Sequence, residues 1–184
     1  MNNQSKKILI VDDDELLLGI YASNFKNEGF EVFIAHDGLE AWEMISAGNI
    51  PDLLFTGITM PRLTGFELID KMQADSKLAD IPVAINSHRG RPEDEAIAKE
   101  MNVDEFIIQG ATTPAEAVRR VKLLLGIKNT YKIAITRDKY DVATLVDLLN
   151  KQQGTFCDPK ESKEIILEIE AMPGKNEFTI KIKC

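Results

Sequence analysis

The chain has 184 residues, 44% of them apolar, enough for one ordinary domain with a sizeable core and a small second one. No apolar run approaches the roughly 20 residues of a membrane span, and the polar start Met1–Lys7 has no leader-like apolar stretch, so a cytoplasmic protein with no membrane contact is expected. The net charge of −8 resides in residues 1–129, with 13 basic against 21 acidic side chains, while residues 130–184 carry 9 of each; neither part has the basic footprint of nucleic-acid binding.

Strand and helix signals alternate five times over the first 126 residues. Lys7–Val11 is an apolar run and reads as a buried strand. Glu15–Glu28 reads as a helix with Leu17, Ile20, Tyr21, Asn24 and Phe25 at helical spacing, ended by Gly29. Glu31–Ala35 is the second strand, and Gly38–Ala47 a helix after the Asp37-Gly38 turn, closed by Gly48. Leu53–Thr56 is the third strand, Gly65–Ala74 the third helix, Val83–Asn86 the fourth strand and Pro92–Met101 the fourth helix. Glu105–Ile108 is the fifth strand. Thr113-Pro114-Ala115-Glu116 joins a cap, a proline at the first helical position and a glutamate at the third, starting a helix that runs to Leu125 and stops at Gly126. Such alternation predicts an α/β fold, a parallel sheet covered by helices on both faces, with ligands at the carboxyl ends of the strands. Asp12–Asp14, Gly57, Ser87 and Gln109 stand at those ends.

After a short linker, Tyr131–Thr136 reads as a strand and Asp141–Gln152 as a helix, followed by a polar loop at Gly154–Ser162. Glu164–Ala171 and Glu177–Lys183 alternate around Met-Pro-Gly-Lys-Asn, a hairpin signal, with Glu168 and Glu170 expected opposite Lys181 and Lys183. The expected division is 1–128 and 129–184, the second part a small α+β segment of about 55 residues that is marginal alone. Cys157 and Cys184 are too few for a disulfide framework and are expected as free thiols.

Residues 7–126 resemble the receiver domain of two-component response regulators. The carriers are Ile8-Leu-Ile-Val-Asp-Asp-Asp14, Asp37-Gly-Leu-Glu-Ala41, Pro51-Asp-Leu-Leu54, Met60-Pro-Arg-Leu-Thr-Gly65 and Ile81-Pro-Val83, in that order and spacing. The resemblance implies a five-stranded parallel, doubly wound, flavodoxin-like (CheY-like) domain. It matches Asp12 and Asp13 to acidic residues that help hold Mg²⁺, and Ser87 and Phe106 to a hydroxyl and an aromatic that move together on activation. At the position of the phospho-acceptor aspartate stands Gly57. At the positions of a lysine that pairs with the phosphoryl group, and of the proline after it, stand Gln109 and Gly110.

Phosphoryl transfer to a carboxylate needs the nucleophile, a hard cation and a fixed positive group. Gly57 has no side chain and Gln109 carries no charge, so two independent parts of one mechanism are missing. Asp12 and Asp13 alone leave at most a weak Mg²⁺ site, and no other cofactor is expected. The bland reading of Asp12–Asp14 is a solvated loop that caps the next helix. His88, Arg89 and Arg91 form a small basic cluster at the mouth of the former site, and Trp42 is expected in packing.

The expectation is a degenerate pseudo-receiver, not an enzyme: a phosphorylation-independent signalling or scaffold protein that acts by protein–protein contact. A histidine kinase or another signalling protein is the implied partner, and the hairpin edge suggests a homodimer. Two alternatives stand beside it. One is a transcriptional regulator with an atypical output domain, which the single expected helix and zero net charge of residues 130–184 disfavour. The other is phosphorylation at a surrogate aspartate. No nucleophile–base pair, zinc spacing or glycine-rich phosphate loop is present, and His36 and His88 have no metal-ligand spacing.

Overall fold

The structure is a computed structural model and describes residues 5–127, 130–136, 164–171 and 178–183. The chain divides into two compact units, Met1–Leu125 and Gly126–Cys184.

In the first unit β1 (Lys7–Val11), β2 (Glu31–Ala35), β3 (Leu53–Thr56), β4 (Val83–Ser87) and β5 (Glu105–Ile108) alternate with α1 (Glu15–Asn27), α2 (Gly38–Ser46), α3 (Gly65–Gln73), α4 (Pro92–Glu100) and α5 (Pro114–Leu124). The strands form one parallel sheet in the order β2-β1-β3-β4-β5. All of β3 and β4 and four of the five residues of β1 are buried, which is why these strands read as apolar runs without polar alternation. Alternate residues serve opposite faces. Leu9, Val11, Leu54, Val83 and Ile85 pack with Ala41, Ile45, Leu68, Ile69 and Met72 of α2 and α3. On the other face Phe55 lies against Tyr21 and Phe25 of α1, with ring centroids 4.8 and 5.4 Å away.

The core stripe of α1 is Leu18, Tyr21, Ala22 and Phe25; the expected Leu17, Ile20 and Asn24 are only half-buried. Asn24, outside the stripe, donates its amide to the Ile20 carbonyl of its own helix at 2.8 Å. Four helix starts are capped by side chains: Asp14, Asp37, Thr64 and Thr113, with Thr64 and Glu67 forming a reciprocal capping box. The start of α4 is different. Its cap residue Arg91 makes no side-chain hydrogen bond, and only Ala98 of its nine residues is buried. Trp42 is half-buried against the core, with Lys71 Nζ 5.5 Å from its ring.

In the second unit β6 (Thr130–Thr136), β7 (Glu164–Ala171) and β8 (Phe178–Lys183) make an antiparallel sheet with β7 in the middle. The hairpin expectation holds, and the strand before it adds to the same sheet. The register sets Glu168 between Lys132 and Lys181, whereas Glu170 stands opposite Thr179 and Lys183 opposite Ile166. Of the expected facing residues, Glu168 and Lys181 are direct partners, whereas Glu170 and Lys183 lie at opposite ends of the ladder, because partner numbers run in opposite directions along an antiparallel pair. The expected helix at 141–152, the loop at 154–162, the hairpin turn at 172–176, and both Cys157 and Cys184 lie outside the described residues.

Candidate functional site

β1 pairs on one side with β2 and on the other with β3, so successive connections leave it in opposite directions. The crevice that this reversal opens at the carboxyl ends is the usual ligand position of such sheets. Here it is a cavity of about 750 Å³, and every residue singled out at the strand ends lines it: Asp12, Asp13, Asp14, Gly57, Ser87 and Gln109. His88, Arg89 and Arg91 line it as well. Phe106 does not; it is half-buried in β5 against the core.

The three aspartates have three different surroundings. Asp14 caps α1, accepting from Leu16 N at 2.8 Å and Leu17 N at 3.2 Å, so the capping role is real for this residue. Asp13 is exposed. Asp12 is buried, and its Oδ1 accepts the Asp14 N–H at 3.0 Å. Burial pushes the Asp12 carboxyl above its ordinary value; the Asp14 N–H bond opposes this, and the neighbouring charges of Asp13 and Asp14 add to it.

Gly57 follows β3 and donates its N–H to Val11 O at 2.8 Å. A Cβ built there would lie 3.1 Å from Asp12 Oδ2 and 3.7 Å from Val11 O, and its φ is outside the left-handed region. The backbone thus accepts an ordinary residue, with a shift of a few tenths of an ångström by the Asp12 carboxylate. Gly65 is a different matter. Its N–H donates to Ile58 O at 2.9 Å, and a Cβ on it would lie 2.0 Å from Gly57 O. Only glycine allows α3 to start so close to the end of β3.

Gln109 extends the β4–β5 ladder, donating its N–H to Ser87 O at 2.8 Å. Its side chain folds back: Nε2 donates to Asn86 O at 3.2 Å and Oε1 meets His88 Nδ1 at 3.1 Å. Ser87 is buried and its Oγ accepts the Gly90 N–H at 3.1 Å. Gly110 sits at φ +81°, and the chain turns tightly there, with Thr112 N donating to Ile108 O at 3.1 Å.

Sequence reasoning passed over two features of this end of the sheet. Asn86 is buried and accepts from Tyr21 Oη at 3.2 Å, while its Nδ2 has no hydrogen-bond partner among the described residues. The signal was a polar side chain in the otherwise apolar Val83-Ala-Ile-Asn86. The second is the pairing of Arg62, at φ +62°, with the Asp37 carboxylate, Nε to Oδ2 being 2.6 Å. Burial works to raise the Asp37 carboxyl, but the Glu40 N–H and the Arg62 guanidinium outweigh it and hold it below its ordinary value. That pair ties the β2–α2 loop to the β3–α3 loop beside the cavity.

The family's divalent cation needs several oxygen ligands in near-octahedral array. Here the end of β3 adds no carboxylate to Asp12 and Asp13, the Asp14 carboxylate caps α1, one Asp12 oxygen accepts a backbone N–H, and no group of three metal-ligating side chains occurs among the described residues. What the site offers is an acidic floor, a neutral amide at the end of β5 and a basic rim.

Residues 8–122 match the response regulator receiver domain family. Chemotaxis protein CheY1 of Helicobacter pylori (strain ATCC 700392 / 26695) is 29% identical over 121 residues, 65% of this chain and 97% of CheY1. Transcriptional regulatory protein PrrA of Mycobacterium tuberculosis is 34% identical over 121 residues, 66% of this chain but only 50% of PrrA, so the match spans half of that regulator. Among solved structures, a CheY-like receiver domain protein from Methanospirillum hungatei JF-1 superposes with a TM-score of 0.62 at 24% identity, over 67% of this chain and 95% of that one; at that identity it bears on the fold alone. No described helix is long and apolar enough to cross a membrane.

Proposed function

The chain belongs to the response regulator receiver domain family, whose members work in two-component signalling, and from that premise we propose that it signals without being phosphorylated, through protein–protein contact. The observation that carries this reading is Gly57: the end of β3 puts no carboxylate into the cavity. Gln109 supports it independently, because its amide is committed to Asn86 O and His88 rather than carrying a charge into the site. The contact surface in this reading is the face of α4, β5 and α5. There Ile97 is exposed, and Arg120 bridges Glu105 of β5 at 3.0 Å and Glu116 of α5 at 3.3 Å. A partner would set the state of this face only by binding one conformation better than another.

Beryllofluoride with Mg²⁺ mimics a phosphoryl group on an acceptor carboxylate, and amide NMR spectra report the response. The native chain is expected to show no shift at Ser87, Phe106 or the α4–β5–α5 face, while Gly57→Asp with Gln109→Lys shifts them. Shifts in the native chain would sink the reading.

Similarity to PrrA, by name a transcriptional regulator, favours a second reading with a nucleic-acid output in residues 130–184. The zero net charge of that segment weighs against it. A gel shift on duplex DNA at low salt separates the two.

A further inference from the structure

The segment between β4 and α4 is held against the end of β5 by contacts that this chain's own residues create. Gln109 reaches across the ladder to Asn86 O and to His88 Nδ1. Ser87 Oγ takes the Gly90 N–H. Gly90 has φ +53°, and a Cβ on it would lie 2.8–2.9 Å from three side-chain atoms of Ile108, so the loop docks on β5 at a distance only glycine permits. Through Asn86 the contacts continue to Tyr21 of α1. The helix that follows has little else to fix its start: Arg91 contributes no capping bond, and one residue of α4 is buried.

We propose that Gln109 is a latch. It holds residues 88–91, and with them the start of α4, in one conformation without any phosphoryl group. The proposal rests on the phosphorylation-independent reading and deepens it, since it names what fixes the state of the α4–β5 face once phosphoryl control is gone.

Hydrogen-bond chemistry makes the latch specific. Asn86 O can only accept, so the NH₂ of Gln109 must face it, and the amide oxygen then faces His88. That oxygen can only accept as well, so His88 must carry a proton on Nδ1. Glutamate at 109 could still accept from His88 but would set an oxygen against Asn86 O. Leucine would lose both bonds.

The test uses the full chain, with no phosphodonor present. Imidazole nitrogen NMR of the native chain is expected to show His88 carrying a proton on Nδ1. Amide exchange at 88–91 and the first turn of α4 is expected to rise about fivefold or more in Gln109→Leu and in Gln109→Glu, while β1–β3 exchange is unchanged. A His88 with no proton on Nδ1 in the native chain, or loop exchange unaltered in both variants, overturns the latch. The native histidine measurement stands even if a variant fails to fold. Beryllofluoride shifts in the native chain would instead overturn the phosphorylation-independent reading and leave the exchange result intact.

Discussion

A Cβ on Gly65 would lie 2.0 Å from Gly57 O, whereas a Cβ on Gly57 would meet nothing nearer than the Asp12 carboxylate at 3.1 Å. The two glycines therefore differ in kind. Gly65→Ala forces backbone apart at the start of α3 and is expected to cost roughly 2–4 kcal/mol, and Gly57→Ala about 1 kcal/mol or less. Urea denaturation of both variants checks this, and equal losses would contradict it. Gly57 is thus not required by the backbone; a Cβ fits there with a small shift of the Asp12 carboxylate. The places of Gly57 and Gln109 at the carboxyl ends of the strands were legible in the sequence because the flanking motifs fix their register. What Gln109 does instead was not legible. Its partners Asn86 and His88 come from another strand and loop, and a side chain's choice among them depends on tertiary distances that spacing does not carry.

At the scale of elements, β1, β2, β3 and β5 fall where their apolar runs placed them; β1 and β3, buried on both faces, leave an uninterrupted signal, and the edge strands β2 and β5 are found by their apolar content although they are only half-buried. Helix ends moved inward by one residue: Glu28, Ala47, Ala74, Met101 and Leu125 are cap residues, outside the helical turns. The stripe of α1 was misplaced because Leu17 and Ile20 compete with Leu18 at similar spacing, and periodicity alone does not choose between them. One link between elements was invisible to pattern. His36 Nδ1 lies 2.9 Å from Glu40 of α2 and its Nε2 3.2 Å from Glu15 of α1. The hydrogen bond to Glu40, with the charges of Glu40, Glu15 and Asp37, raises the His36 pKa despite slight desolvation. A raised folded-state value gives a contribution fully present below the ordinary value of about 6.5 and lost as pH rises through the folded value. His36→Gln is therefore expected to lower the urea midpoint at about pH 6 but not at about pH 9, with the difference shrinking in salt. A deficit that grows with pH would contradict this.

On the scale of the molecule, the first unit is a receiver scaffold with the family's sheet order, four side-chain-capped helices and a switch-point cavity into which the end of β3 sends no side chain. The acidic floor remains, and burial, with the neighbouring charges of Asp13 and Asp14, keeps Asp12 above its ordinary pKa. The second unit is legible only in part. Its strands alternate strongly enough to be found, yet their joining into one three-stranded sheet depends on the pairing of Thr130–Thr136 with a strand far along the chain, which no local pattern announces. The central claim, a receiver fold that takes no phosphoryl group, is tested most directly by intact mass after incubation with Mg²⁺ and a small phosphodonor, beside a Gly57→Asp, Gln109→Lys variant. The account predicts no added phosphate on the native chain and one on the variant. A phosphate on the native chain would place the acceptor at a surrogate such as Asp12 or Asp13 and contradict the account.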